Sequence, residues 1–408
     1  MKVNSDVILV SKYAIIPNQG ISSKLFETSI YMSGFFKTTL ITSNSNHLAK
    51  VSTQADRFKV IKLNELTVII IKTINYRYSK SLRRILSWFD FEFKLYSIKI
   101  DSEHPPKLIL VSSLSLLTIL WGLKLKRKYG TRVVFEIRDI YPLRLTHELH
   151  VSKFNPMVMI MSWIEKRGYL KSDLIVGTMP KLDFHVKNII GVEKEVFYSP
   201  IGLSSYFKPS KGNKTIFNLP KDYSKSMIVG YSGSIGESNY LQSLIRVIKS
   251  LQNNYDYYFV IVGSGDYLER YKDDLIDCHN VLFTGRVEPS LVQDYISAVD
   301  CLYLSVKPSK IWEYGQSMNK VLDYLMAGKP IIAAYDGYPN MLNEIEGNLI
   351  IPSNDDHALI EAIKRIHSYD QTLLKDIQSS APKLVQENYT YEIINQKYYL
   401  RIKQLMES

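Results

Sequence analysis

Along this chain, short runs of β-branched and aromatic residues alternate with segments of helical period, and the series begins twice. Such a rhythm marks parallel βαβ units, because each pair of parallel strands needs a crossover long enough to hold a helix. The first series is VILV (7–10), TTLIT (38–42), LTVIII (66–71), KLILV (107–111), RVVFEI (132–137), DLIVG (173–177) and EVFYS (195–199). The second is MIVGYS (227–232), YYFVIVG (257–263), NVLFTG (280–285), DCLYLSV (300–306), PIIAA (330–334) and NLIIP (348–352). Between them lies SPIGLSSYFKPSKGNKTIFNLPKDYSKS, rich in Pro, Gly, Ser and Lys, which places a boundary near 200–225. A chain of 408 residues is too long for one ordinary core. The expectation is α/β: two doubly wound, Rossmann-like domains over 1–205 and 206–385, and a closing helix at 386–408 that packs back toward the first.

Charge is divided unevenly. Residues 1–200 hold 30 Lys+Arg against 16 Asp+Glu, or +14, and residues 201–408 hold 21 against 24, or −3, which together make the net +11. A basic first half suits anionic lipid headgroups or a diphosphate-bearing acceptor, and a merely soluble basic surface accounts for it equally. Nucleic acid is disfavoured, since no helix-turn-helix, zinc-finger or RNP-like pattern accompanies the charge. No apolar run approaches the roughly 18 residues that span a bilayer, and MKVNSDVILV is not a long apolar leader, so a cytoplasmic location is expected. Cys278 and Cys301 show no spacing with histidine that suggests zinc.

Ligands of doubly wound sheets bind beyond the carboxyl ends of the strands, so the loops after the strands hold the candidates. Gly233-Ser234-Ile235-Gly236 follows MIVGYS and precedes a helix expected from about Ser238; backbone amides there can approach a phosphate, and a tight turn explains the glycines as well. Gly263-Ser264-Gly265 lacks the third glycine of a dinucleotide fingerprint, Leu268 standing in its place, so a dehydrogenase is discounted while the loop stays a donor-side candidate. Gly285-Arg286-Val287 ends another strand and could edge a nucleobase. In GQSMNKVLDYLMAGKP (315–330), Ser317 can cap a helix that ends at Gly328. Asn319 and Lys320 lie in its first turn, where the helix dipole disfavours a cation, so Lys320 is expected to have an anionic partner. Asp323, one turn on, can accept hydrogen bonds from a ribose diol, and a solvated Lys320/Asp323 pair is the plainer alternative. In the first half, Pro17-Asn18-Gln19-Gly20 exposes backbone after the first strand, and Arg138 and Asp139 end another. Arg138 could meet a phosphate and Asp139 could orient an acceptor hydroxyl, or the two could pair with each other.

These motifs, in this order and over almost the whole chain, resemble glycosyltransferase family 4, a retaining family of GT-B fold, in which two Rossmann-like domains face each other across a cleft. GQSMNKVLDYLMAGKPII and EIRDIYPLRL are similar to a subgroup that makes N-acetyl-L-fucosamine linkages in bacterial surface polysaccharides, and NVLFTGRVEPSLVQDYISAVDCLYL to the wider family. The resemblance implies that Asp323 holds the ribose, that Gly233, Gly236 and Lys320 lie near the donor diphosphate, and that Arg286 and Val287 flank the base. Gly315 stands where the family has glutamate, eight residues before Asp323, which itself replaces a glutamate. Arg138 stands where many members have histidine, and Glu237-Ser238-Asn239 lacks the cation that often follows the glycine loop.

No two aspartates are spaced i, i+2, so a metal held by an Asp-x-Asp motif is not expected. The expected chemistry is retaining transfer from a nucleotide sugar, most simply a UDP-sugar, assisted by Lys320, Arg138 and the GSIG amides. In the segment 80–100, Leu82, Ile85, Leu86, Phe89, Phe93, Tyr96 and Ile100 form a helical stripe suited to the core, and Trp88, Phe91 and Leu95 form a second beside Arg84 and Lys99. A helix apolar on two faces could dip into the inner membrane's surface and collect a lipid-linked or oligosaccharide acceptor; burial between helices is the alternative. A sugar-nucleotide epimerase, or a catalytically weak GT-B partner of another transferase, would share the same architecture.

Overall fold

The computed structural model describes residues 1–16, 23–45, 56–76, 81–113, 116–204 and 206–407. Two compact units form, Met1–Ser204 with Tyr391–Ser408, and Ser205–Thr390.

The first unit is built on an eight-stranded sheet whose spatial order is Val196–Tyr198, Leu174–Gly177, Arg132–Ile137, Leu108–Ser112, Val7–Val10, Thr38–Ser43, Leu66–Ile71 and Phe58–Leu63. All neighbours are parallel except the last pair. Seven of these strands are those expected from the β-branched runs. The antiparallel edge strand Phe58–Leu63 is an addition to them, because FKVIKL alternates weakly and only half-buries its apolar face. The two-stranded pairing of Lys2–Val3 with Lys99–Ile100 is too brief to leave a pattern in the sequence. Chain order reverses between the adjacent strands Val7–Val10 and Leu108–Ser112, so the crevice of this sheet lies beyond Val10 and Ser112. The helix Tyr391–Glu407 closes this unit: Tyr398, Ile402 and Leu405 join the core of Leu9, Leu40 and Leu110, and Thr28 donates to Asn395 Oδ1 at 2.8 Å.

The second unit carries a six-stranded parallel sheet in the order Val281–Gly285, Tyr257–Val262, Met227–Ser232, Cys301–Ser305, Ile331–Ala334 and Leu349–Ile351, and all six strands match the expected runs. Its reversal falls between Met227–Ser232 and Cys301–Ser305. Phe259, Tyr303 and Ile332 on the strands pack with Leu244, Ile248, Leu359 and Ile363 on the covering helices. Both cysteines are buried and unpaired.

The helix Leu82–Tyr96 corrects an expectation. Its inner face is Ser87, Phe91, Glu92 and Leu95, while of the stripe assigned to the core Leu82, Leu86, Phe89, Phe93 and Tyr96 are exposed, Ile85 is half-buried and Ile100 belongs to a strand. Periodicity selects the face richer in apolar residues. Here the poorer face is inward because its polar members find partners: Glu92 Oε1 accepts from Thr118 Oγ1 at 2.5 Å, and Ser87 Oγ donates to Thr73 Oγ1 at 3.4 Å. Among the described residues no helix is long and apolar enough to cross a membrane.

Candidate functional site

In the second unit the reversal point is lined by groups that hold one another. The strand Met227–Ser232 runs into Gly233, whose φ of +149° is a conformation that side chains rarely adopt. A Cβ at Gly233 would lie 3.0 Å from both Lys320 Nζ and Tyr231 Oη, so the bare backbone lets a lysine come up against the loop. The next loop is zipped onto this one. Ile235 N donates to Ser264 O at 3.0 Å and Tyr267 N to Ile235 O at 3.1 Å. A Cβ at Gly263 would stand 1.8 Å from Gly233 O, and one at Gly265 2.2 Å from Ile235 O. Gly263 and Gly265 are therefore required by loop packing. Gly236 is different: its φ of −158° is ordinary extended backbone, and the nearest atom to a methyl added there would be Ser234 Oγ at 3.9 Å. Nothing among the described residues demands glycine there.

Lys320 comes from the helix Asn319–Met326, which starts on the same carboxyl edge. Ser317 is not its cap. The N-cap is Met318, whose amide is met by Gln316 Oε1 at 3.0 Å, and the helix ends at Ala327 before the left-handed Gly328, φ +63°. The half-buried Lys320 ammonium donates to Asn239 Oδ1 and to Tyr231 Oη at 3.4 Å, and lies 5.0 Å from the Tyr231 ring centre. These partners are neutral. The expected anionic partner is absent among the described residues, and burial lowers the ammonium to about 8. Asp323, also half-buried, makes no ion pair with Lys320; its carboxylate has no protein partner among the described residues, and burial raises it to about 6. The plainer Lys320/Asp323 pair is thus ruled out. A cation and an anion stand one turn apart, each without a countercharge among the described residues.

The loop itself is braced by residues that no sequence motif singles out. Tyr231 Oη and Asn239 Nδ2 both donate to Ser234 O, at 2.7 and 2.8 Å, and Ser305 Oγ donates to Asn239 O at 2.5 Å. Tyr324 Oη bridges Ser232 N and Ser232 O at 2.7 and 3.1 Å. Asn239 thus ties the glycine loop, the strand end at Ser305 and Lys320 together. Its signal in the sequence is only a short polar side chain after the loop. The expected helix from Ser238 is a 3-10 turn, Glu237–Asn239, with the α-helix delayed to Gln242–Ser250, so the loop's amides do not open a long helix. The cation beside this turn comes from Lys307, whose Nζ meets Glu237 Oε1 at 2.6 Å. Ser234 and Asn319 are exposed on this edge, and Arg286, exposed, and Val287, half-buried, follow the outer strand Val281–Gly285 two strands from the loop. Gly315 has φ +92°, a backbone conformation that a glutamate at this position would strain.

In the first unit Gly20 lies outside the described residues. Arg138 and Asp139 follow the strand Arg132–Ile137, but they do not pair. Asp139 Oδ2 accepts from Arg144 at 3.3 Å, and Arg144 also reaches Glu148 at 3.0 Å. The Arg138 amide donates to Ser113 Oγ at 3.2 Å, and its Nε is buried without a hydrogen-bond partner among the described residues. Behind it lies a fully buried pair absent from the sequence candidates, Lys24 with Glu136, whose other oxygen accepts from Ser112 Oγ at 2.8 Å. The ammonium and the hydroxyl keep Glu136 ionised against its burial. An acid inside an otherwise apolar parallel strand is the available clue.

Residues 226–368 match the family model described as glycosyl transferases group 1. No curated protein matches. Among solved structures, sucrose-phosphate synthase from Thermosynechococcus elongatus is similar at TM-score 0.72 and 16% identity, over 98% of this chain and 99% of that one. WaaG, a glycosyltransferase involved in lipopolysaccharide biosynthesis, is similar at 0.63 and 14%, over 96% and 98%. The Anabaena protein HepE, solved with UDP-glucose, is similar at 0.61 and 12%, over 98% and 100%. The chain has the GT-B fold. The matched region of this GT-B chain contains every residue of the Lys320 cluster, from Tyr231 to Tyr324.

Proposed function

We propose that this chain is a glycosyltransferase that takes a sugar, an N-acetylated amino sugar by its resemblance, from a UDP-sugar and passes it with retention to a lipid-linked saccharide of a surface polysaccharide such as capsule or O-antigen. The observation that carries the donor half is the Lys320 ammonium, which has only neutral partners and lies against Gly233 at the reversal point of the sheet. A diphosphate supplies the missing countercharge, and amides of the bare loop can reach its oxygens. The unpartnered Asp323, one turn along, suits the two hydroxyls of a ribose.

Charge grows on the departing diphosphate as the sugar bond breaks, and a cation already held in place lowers that barrier without reorganising. Lys320 takes this part. Arg138, with an unsatisfied buried Nε, is a second cation for the reaction, and Asp139, held by Arg144, orients an acceptor hydroxyl. UDP as the nucleotide is supported by the UDP-glucose complex of HepE. The exposed stripe of Leu82, Leu86, Phe89 and Phe93 supports peripheral attachment to the cytoplasmic face of a membrane.

Calorimetric titration with UDP-, GDP- and dTDP-sugars, followed by NMR of the product's anomeric configuration, tests the reading. UDP-sugar binding and a new glycoside of unchanged configuration are expected. Interconversion of the free nucleotide sugar without a new glycoside would mean an epimerase instead.

A further inference from the structure

Beneath the exposed stripe the first unit contains an apolar cavity of about 370 Å³. Trp88 from one helix, Leu117 from the start of another, and Met161 and Ile164 from the helix Pro156–Lys171 supply its walls. Among the described residues the only polar side chains in the lining are Ser113 and Tyr141, with the Trp88 indole N–H donating to Tyr13 Oη. Ser113 Oγ is the acceptor of the Arg138 amide, and Tyr141 is two residues from Asp139. The cavity thus reaches the carboxyl edge of the sheet beside the reversal point at Ser112. Two of its lining residues, Phe89 and Ile160, are exposed, and the same two helices also expose Phe93 and Trp163 outside the lining. Basic groups lie over the exposed aromatics: Arg167 is 5.4 Å from the Trp163 ring and Lys124 5.1 Å from that of Tyr96.

We infer that this cavity holds one hydrocarbon chain of the acceptor, an amphiphile whose anionic phosphate head reaches the Arg138 edge. An apolar cavity whose polar side chains, among the described residues, lie at the Arg138 edge suits an alkyl or prenyl phosphate and does not suit a sugar, whose hydroxyls would go unpaired. Phe89 and Ile160 at the cavity, with the exposed Phe93 and Trp163 on the same helices, would rest against the bilayer from which the chain is drawn. Unlike the general notion of membrane attachment through one helix, this assigns a bounded site with a limited length of chain. It rests on the lipid-linked acceptor of the proposed function for the identity of the occupant, while its test reads binding alone.

The full-length chain is titrated by calorimetry with n-alkyl phosphates of increasing length, each below its micelle concentration. Affinity should rise about fourfold per methylene and then level off once the cavity is full. Met161→Trp, which fills the cavity, should abolish the rise; Leu117→Trp repeats the test should the first variant lose its wild-type Tm. Leu82→Ser with Phe93→Ser, outside the cavity, should keep the rise while reducing flotation with phosphatidylglycerol vesicles. Affinity independent of chain length, or a rise preserved in a folded cavity-filling variant, overturns the proposal. So does equal binding of n-alkyl alcohols, or displacement of the alkyl phosphate by vesicle phosphatidylglycerol, which would make the occupant bulk lipid, or closure of the cavity by self-association. A chain that transfers sugar yet fails these titrations refutes the cavity and leaves the transferase reading standing; one that passes them yet transfers no sugar does the reverse.

Discussion

The Lys320 ammonium is held by the carboxamide oxygen of Asn239, and not by Asp323, the acid three residues along its own helix. Asn239 fixes the direction of the lysine without neutralising it. A carboxylate there would have satisfied the charge and left nothing for a ligand.

Replacing Lys320 by Ala should lower kcat/KM for the donor by about a hundredfold or more, as expected for loss of a group aimed at developing charge. Asn239→Ala should act through Lys320 and cost about tenfold, falling mainly on UDP affinity, with Asn239→Asp weakening UDP further because it would pair the ammonium. Steady-state kinetics and UDP titration of the three variants check this. Full activity in Lys320→Ala would remove the lysine from the mechanism.

The two unpartnered charges also set a pH window. Donor binding to the free protein needs Lys320 protonated and Asp323 ionised. Burial places the lysine at about 8 and the acid at about 6. UDP affinity should therefore be highest between about pH 6 and 8, falling below as Asp323 takes up a proton and above as Lys320 loses one. Asp323→Asn should weaken UDP and erase the acid limb only. It should not lower Tm near neutral pH, since an acid whose folded pKa is raised is less stable ionised than in the unfolded chain. An acid limb that survives in Asp323→Asn would assign it to another group.

The glycines of the two loops should part company. Gly263→Ala forces a methyl into Gly233 O at a φ of +144°, and Gly265→Ala into Ile235 O, so each should destabilise the second unit by about 2 kcal/mol or more. Gly236→Ala meets no protein atom closer than 3.9 Å, so its Tm should change little while UDP binding weakens about tenfold, if a phosphate occupies that space. Thermal melts with and without UDP separate the two outcomes.

Much of the frame is legible in the sequence. Runs such as VILV and MIVGYS are β-branched and buried on both faces, and parallel central strands seldom tolerate anything else. The segment from Gly315 to Pro330 announces its helix and its end. Less is legible wherever a polar group changes the meaning of a pattern. The richer apolar stripe of Leu82–Tyr96 is exposed because Thr118 and Thr73 stabilise Glu92 and Ser87 on the inner side. Likewise Asp139, in the bend after its strand, is met by Arg144 where Arg138 is the nearer candidate in sequence.

What the sequence by itself determined was the alternation of strands and helices, and with it two doubly wound units and the carboxyl edges of their sheets, where a fold of this kind is expected to bind ligands. Local spacing is enough for that, since side-chain period and turn residues act over a few positions. Only the tertiary structure decided which charges remain unpaired. Lys320 and its partner Asn239 are 81 residues apart, and no local rule could tell whether the lysine would turn to the acid on its own helix or to an amide delivered by the turn that follows a distant strand.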